Sequence, residues 1–322
     1  MNRRSLLCVA AALLLGPVAS MAARGQSFPA RPVALVNPYA AGGGADIVAR
    51  SVARELSQEW GQPVIVENRP GAGTTIAAAY VARAKPDGYT LLLSTTQHAI
   101  APAIFKSLPY DYLTSFSPIA ILSDSPFFLV VRPERGINST DDLVAELKKR
   151  GGAINFASSG PGSLPHLAGA LLNQLTGAGA THIPYQGTAP ALTALMGGQV
   201  DYLFADTSAL PIIQGGKAKA VAVSSAARSP VLPSVPSVQE RIPGFQLTVW
   251  TALEAPAGTP QPVVDRIHDS VYRALGSPAL TRLFAETSRQ VVKLTPAQFA
   301  EYKQAEVQKY EKLAREAGLK VE

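Results

Sequence analysis

Short apolar runs alternate along this chain with longer segments in which apolar residues recur at helical spacing. The first pair is a strand over Val33–Asn37 followed by a helix over Ala45–Trp60. Repetition of this unit predicts an α/β protein with a mostly parallel sheet and helices on both faces. The other predicted strands are Val64–Glu67, Tyr89–Ser94, Phe127–Arg132, Ile154–Ala157, Thr181–Pro184, Val200–Ala205 and Ala218–Val223. The other predicted helices are Thr75–Ala84, Asp141–Arg150, Leu164–Leu175 and Ala189–Met196.

Proline interrupts this pattern in the last third of the chain. The segment Ser229–Pro243 is rich in Pro and Ser and is interpreted as a linker that carries the chain back to its first half. Ala255–Pro262 is a second Pro/Gly-rich turn. The cap at Thr295 and the proline at Pro296 predict a C-terminal helix.

The first residues have the composition of an export signal. Asn2-Arg3-Arg4 is basic, the run from Leu6 to Ala19 is apolar, and cleavage is predicted near Ala22 or Ala23. The alternative is a membrane anchor, but a spanning helix needs about 20 apolar residues. We therefore expect a periplasmic protein, exported by the general or the twin-arginine route.

These elements predict a discontinuous two-lobe organisation. The signal peptide covers residues 1–23. The first lobe is formed by residues 24–126 and 235–322, and the second by residues 127–234. The strand Phe127–Arg132 marks the outward crossing between the lobes.

The composition excludes several classes of function. Cys8 is the only cysteine, so the chain without its signal has no disulfide and no thiol nucleophile. The net charge of +6 falls to +4 when Arg3 and Arg4 leave with the signal. That mild excess favours anionic solutes. Basic residues do not cluster with aromatic ones, so nucleic-acid binding is not expected.

Motifs for catalysis and for metal or cofactor binding are missing. The sequence has no Gly-x-Ser-x-Gly elbow and no P-loop. Its histidines, at positions 98, 166, 182 and 268, lack metal-ligand spacing. We therefore expect no metal, no cofactor and no enzymatic activity.

Two Gly-rich turns stand at equivalent positions in the two halves. Pro38–Asp46 follows the first strand, and Ser158–Ser163 follows a strand in the middle of the chain. Free N–H groups at a helix start attract anions, and ligands of open α/β sheets bind beyond the carboxyl ends of the strands. The two turns are therefore predicted to hold an anionic ligand from both sides of a cleft, unless they are simply tight connections.

Single polar residues near these turns allow two interpretations each. Asp46 is predicted to be the N-cap of the first helix, and Thr140 the cap of a later one. Asp206 either meets an ammonium or hydroxyl group of the ligand or caps a helix. His166 contacts an anion or is structural, and Tyr185 lines the cleft.

Six short motifs also occur in order along the chain. They are Pro38–Asp46, Asn68–Gly73, Lys85–Thr90, His182–Gly187, Gly197–Asp201 and Ala255–Pro260. Together they resemble the Bug, or TctC-like, solute-binding receptors of tripartite tricarboxylate transporters, over nearly the whole chain after the signal. The resemblance implies a type II periplasmic-binding-protein fold with the ligand in the inter-lobe cleft. It also implies that a carboxylate binds at the first turn.

The resemblance and the residue pattern give one set of candidate ligand-binding residues. They are Tyr39, Ala40, Ala41, Gly42, Gly43, Thr95, Gln97, Ser158, Gly160, Ser163, His166, Tyr185 and Asp206. The expected function is that of a monomeric receptor that captures a small organic carboxylate and delivers it to the membrane permease subunits of such a transporter. The alternatives are a ligand-sensing subunit of a signalling system and a periplasmic hydrolase. The ligand remains open between a dicarboxylate, a tricarboxylate, an aromatic acid and an amino acid.

Overall fold

The computed structural model describes residues 28–316, which form two five-stranded sheets covered by helices. The predicted signal peptide and its cleavage sites lie outside the described residues. The strands are β1 (Val33–Asn37), β2 (Val64–Asn68), β3 (Thr90–Thr95), β4 (Phe116–Pro126), β5 (Phe128–Val131), β6 (Asn155–Ser158), β7 (Thr181–Pro184), β8 (Tyr202–Ala205), β9 (Lys219–Val223) and β10 (Thr248–Pro256). The helices are α1 (Gly44–Trp60), α2 (Thr75–Ala82), α3 (Thr96–Ile104), α4 (Thr140–Arg150), α5 (Leu164–Thr176), α6 (Thr188–Met196), α7 (Leu210–Gln214), α8 (Gln261–Leu275), α9 (Pro278–Glu286) and α10 (Pro296–Glu316).

Each sheet contains one strand that runs against the other four. The first sheet has the order β2-β1-β3-β10-β4, and β10 is antiparallel to both of its neighbours. The second has the order β7-β6-β8-β5-β9, and β5 is antiparallel to both of its neighbours. The reversed strand is in each case the first one after the chain has crossed from the other sheet.

The two crossings are hydrogen-bonded to each other. The outward crossing passes through Phe127, whose backbone N–H donates to Ser224 Oγ at 2.8 Å. The backbone N–H of Ser224, which begins the return crossing, donates to the carbonyl of Phe127 at 2.9 Å. The two connections between the sheets therefore lie side by side.

Several predicted boundaries need correction. Ser139, not Thr140, caps α4, since its Oγ accepts from the N–H of Asp142 at 3.1 Å. The predicted turn Ala255–Pro262 is wrong at both ends, because β10 continues to Pro256 and α8 begins at Gln261. Strands β4 and β10 and helices α3, α7, α8 and α9 have no counterpart among the elements predicted above.

Helices cover both faces of the first sheet. Val48, Val52 and Leu56 recur at helical spacing on α1 and pack against Leu35 and Leu91 of the sheet. Each such side chain contributes about 1.5–3 kcal/mol when it is fully buried. Helix α10 covers the opposite face and also packs against α5 beside the second sheet. Among the described residues, no helix combines the length and apolarity needed to cross a bilayer.

A buried ion pair attaches α10 to the central strand β10. Glu254 is 0% exposed and Lys303 is 1% exposed, and their side chains form a salt bridge. Tyr112 Oη donates to Glu254 Oε1 at 2.8 Å, and the Lys303 ammonium lies 4.4 Å from the centre of the Tyr112 ring. The pair fixes how α10 lies on the sheet, because neither charge has access to water.

The substitution Glu254→Gln should destabilise the protein by about 3–5 kcal/mol, since it leaves a buried ammonium without its counter-ion. Replacing both partners by methionine should recover most of that loss. Urea unfolding measures both effects. The control is Glu240→Gln, which breaks an exposed pair with Arg228 and should shift the unfolding midpoint far less. Equal losses of stability in Glu254→Gln and Glu240→Gln would contradict a stabilising role for the buried pair.

Candidate ligand-binding site

The first Gly-rich turn leaves a row of backbone donors at the start of α1. Gly43 is the N-cap in an extended conformation, with φ −79° and ψ 168°. The first hydrogen bond of the helix runs from the N–H of Ile47 to the carbonyl of Gly43 at 3.0 Å. The N–H groups of Gly44, Ala45 and Asp46 therefore have no acceptor within the helix. An anion placed before α1 would meet these donors.

The prediction that Asp46 is the N-cap is wrong. It lies in the first turn of α1, and its buried carboxylate reaches back to accept from the N–H of Gly42 at 2.9 Å. It also accepts from Asn37 Nδ2 at 3.2 Å, Asn68 Nδ2 at 2.8 Å and Arg50 Nε at 2.8 Å. Gly42 has a φ of +86°, which a residue with a side chain rarely adopts. The carboxylate thus ties the turn to β1 and β2.

The charge of Asp46 is satisfied inside this network. Burial alone would raise the pKa of its carboxyl, but hydrogen bonds from Arg50, Gly42 and Asn68 outweigh burial and hold the pKa well below its ordinary value. Asp46 therefore stays ionised without presenting free acceptors to an incoming anion.

A row of hydroxyl groups runs across the first sheet beneath this turn. Tyr39 Oη and Thr95 Oγ1 are hydrogen-bonded at 2.9 Å. Thr95 lies directly opposite Thr251, which lies opposite Ser123 on the next strand. Thr251 Oγ1 and Ser123 Oγ are hydrogen-bonded at 2.9 Å. Since opposite residues of neighbouring strands share a face, these hydroxyl groups are adjacent. Burial raises the pKa of Tyr39, so its phenol is neutral.

Arg289 lies at the end of this row, although the sequence analysis did not single it out. It belongs to the loop between α9 and α10, and its Nη1 donates to Ser123 Oγ at 3.4 Å. A Cβ on Gly44 would lie 3.2 Å from Nη2 of Arg289. The guanidinium is thus packed against the first residue of α1. A loop so distant in sequence gives no local pattern that could reveal this contact.

The second Gly-rich turn is held by its own polar side chains. Ser163 Oγ donates to the carbonyl of Gly160 at 2.7 Å, and Ser158 Oγ accepts from the N–H of Gly160 at 3.1 Å. The N–H of Gly162 donates to His166 Nδ1 at 3.1 Å. The donors and acceptors of Ser163 and His166 are therefore partly used within the turn.

Two histidines stack beneath the second turn. The rings of His166 and His182 are nearly parallel, with centroids 3.7 Å apart, and His182 Nε2 lies 2.6 Å from Ser158 Oγ. Burial lowers the pKa of His166. Burial, and then repulsion from His166, lower the pKa of His182 to about 4. Both rings are consequently neutral near pH 7, as such close stacking requires.

The second turn contacts helix α3. Gln97 in the first turn of α3 donates from Nε2 to the carbonyl of Gly162 at 3.4 Å. A Cβ on Gly162 would lie 2.7 Å from Cδ1 of Ile104. Tyr39 is thus hydrogen-bonded to Thr95 just before α3, and α3 in turn contacts the second turn, which follows β6 of the second sheet.

The remaining candidate ligand-binding residues differ in their hydrogen bonds and in their exposure. Asp206 caps a short helical turn by accepting from the N–H of Ser208 at 2.9 Å, and it also accepts from Thr188 Oγ1 at 2.8 Å. Tyr185 donates its N–H to the carbonyl of Ser158 at 3.1 Å and is partly exposed. Ala40 and Ala41 are exposed in the first turn and offer only backbone groups. Within residues 28–316, no group of His, Asp or Glu side chains is arranged to hold a metal ion.

Comparison with known proteins identifies the family. Residues 48–319 match the sequence family TctC, described as tripartite tricarboxylate transporter family receptor. The chain belongs to this family of receptors.

Three solved structures resemble this receptor over most of its length. The structure of periplasmic binding protein BugD is 37% identical with a TM-score of 0.81, and the match covers 92% of this chain and 100% of BugD. The R. palustris protein Rpa4515 with adipate is 31% identical with a TM-score of 0.84, over 92% of this chain and 100% of that one. MatC from Rhodopseudomonas palustris with bound malate is 36% identical with a TM-score of 0.79, over 89% of this chain and 100% of MatC.

The family establishes the fold and the class of protein. This receptor has the two-lobe periplasmic-binding-protein fold that the sequence predicted. Its family and structural neighbours are solute-binding proteins and not enzymes, which confirms the expectation of a non-catalytic chain and excludes the hydrolase alternative.

The receptor should become less stable as the pH falls from about 6.5 to about 4. The unfolded chain takes up a proton at His182 in this range, whereas the folded receptor keeps the ring neutral because its pKa is about 4. Denaturant unfolding at several pH values measures the effect. The variant His182→Gln should show a smaller loss, and the difference between the two proteins separates His182 from carboxyl groups that titrate in the same range. Identical pH dependence would contradict the assignment.

Proposed function

We propose that this receptor captures a small organic carboxylate in the periplasm and delivers it to the permease subunits of a tripartite tricarboxylate transporter. The observation that carries the proposal is the set of free backbone N–H groups at Gly44, Ala45 and Asp46, next to the hydroxyl row that begins at Tyr39. These groups are donors, and a carboxylate is an acceptor with two oxygens.

The hydrogen bonds that such a site offers are sufficient for the affinity that a solute receptor needs. A hydrogen bond to a charged acceptor contributes about 1.5–3 kcal/mol. Several of them reach about −8 kcal/mol, which corresponds to micromolar affinity. The neighbours Rpa4515 and MatC carry adipate and malate in their structures, and both ligands are dicarboxylates. We therefore place a dicarboxylate first among the candidate ligands.

The proposal includes ligand capture by closure of two lobes. In the predicted division, residues 24–126 and 235–322 form the first lobe and residues 127–234 the second. The paired crossings at Phe127 and Ser224 support a hinge there, since only these two connections would have to bend. We further propose that the receptor acts as a monomer after cleavage of its signal peptide near Ala22 or Ala23.

A thermal-shift screen tests the ligand class. We expect malate, adipate or a related dicarboxylate to raise the melting temperature, because a ligand that binds only the folded state stabilises it. The screen should also contain tricarboxylates, aromatic acids, amino acids and neutral sugars. A shift with a neutral solute and with none of the acids would contradict the proposal. Uptake of the identified acid by cells with and without the permease then tests delivery.

The variant Gly43→Val tests the first turn. Gly43 has an ordinary φ, and the nearest atom to an added Cβ is 3.8 Å away, so the fold should accept valine. The side chain would nevertheless block the approach of a ligand to the backbone. We expect at least about tenfold weaker binding by calorimetry, or about 1.4 kcal/mol.

The matched control is Gly179→Val. Gly179 is exposed before β7, and no atom lies within 4 Å of its added Cβ. This variant should bind like the wild type. If Gly43→Val also binds like the wild type, the first turn does not contact the ligand.

A further inference from the structure

Arg289 places a second positive charge at the start of α1. Its half-buried guanidinium lies against Gly44, as described above. The N-terminus of a helix itself carries the equivalent of about half a positive charge. Two positive groups therefore face the same small region, and an anion between them would be attracted by both.

Most N–H donors of the Arg289 guanidinium have no acceptor among residues 28–316. An arginine side chain has five N–H donors. Among residues 28–316 it makes one long hydrogen bond, from Nη1 to Ser123 Oγ at 3.4 Å, and no salt bridge. Partial burial lowers the pKa of Arg289, while the carboxylates of Asp206 and Asp124, which lie beyond salt-bridge distance, oppose that shift.

The loop does not need this side chain to hold its shape. The backbone of Gln290 exchanges two hydrogen bonds of 2.8 Å with that of Asp124 on β4. The N–H of Arg289 donates to the carbonyl of Phe284 at 2.8 Å, which closes the end of α9. These three backbone bonds fix the loop. The position of Arg289 is thus fixed by backbone hydrogen bonds that do not involve its guanidinium.

We propose that Arg289 is a ligand-binding residue, whose guanidinium pairs with a carboxylate of the solute while the free N–H groups of Gly44 and Ala45 donate to the same carboxylate. The inference rests on the proposed function, because it assigns a residue to the same site. Asp206, which follows β8, acts on this guanidinium electrostatically.

The test compares Arg289→Met and Arg289→Lys with the wild type. Calorimetry with malate and with adipate measures affinity, and urea unfolding of the ligand-free proteins measures stability. Loss of a charge-assisted hydrogen bond corresponds to about 10- to 100-fold weaker binding for Arg289→Met. Arg289→Lys keeps the charge but not the planar fork and should fall between. The control is Arg282→Met on the exposed face of α9, which should bind like the wild type.

Ligand-free stability separates a binding role from a structural one. Backbone hydrogen bonds fix the loop without this side chain, so ligand-free Arg289→Met should unfold at about the same urea concentration as the wild type. Unchanged affinity in Arg289→Met would overturn the inference, and so would a loss of affinity accompanied by a lower ligand-free stability, which indicates a structural role. If Arg289→Met does not fold, Arg289→Lys must bind at least about fivefold more tightly than Arg289→Gln, and equal affinities would overturn it. Failure of the wild type to bind any acid would instead remove the proposed function.

Discussion

The hydrogen bonds of the Asp46 carboxylate are the interaction on which the candidate site depends. They join the Gly-rich turn, β1, β2 and α1 at one point. Because four donors satisfy the carboxylate, it can be buried as an anion, and the charge of Arg50 offsets its own. Because one of those donors is the N–H of Gly42, the turn is held in the conformation that leaves the next backbone N–H groups free. The proposed anion site therefore depends on a negative side chain.

The topology explains why the second turn lies beside α3. The chain passes directly from β4 into β5 and returns through residues 224–247 from β9 to β10, and the strand after each crossing runs against the rest of its new sheet. The other four strands of each sheet are parallel, and β1 and β6 both end in a Gly-rich turn. Gln97 at the start of α3 reaches Gly162 in the second of these turns. This contact joins elements of the two sheets and depends on long-range connections that no local motif encodes.

The sequence predicted the parts of the structure that are locally determined. Apolar periodicity located most strands and helices, and glycines located both turns. It failed at β10, because the buried Glu254 looks like a surface residue until its partner Lys303 is known. It failed at Asp46, because an acid near a helix start resembles a cap unless Asn37 and Asn68 are placed beside it. Both errors concern polar groups whose partners lie on other elements.

The charged side chains around the first turn come from segments that are distant from one another in sequence. Asp46 is neutralised by Arg50 and by neutral donors, whereas Arg289 has no carboxylate of the described chain at salt-bridge distance. The stacked rings of His166 and His182 add no charge near neutral pH, since burial lowers the pKa of each. Asp206 and Asp124 act on Arg289 from beyond salt-bridge distance, so its charge is only partly matched. The inference for Arg289 rests on this imbalance, because a carboxylate between the guanidinium and the start of α1 would accept hydrogen bonds from both.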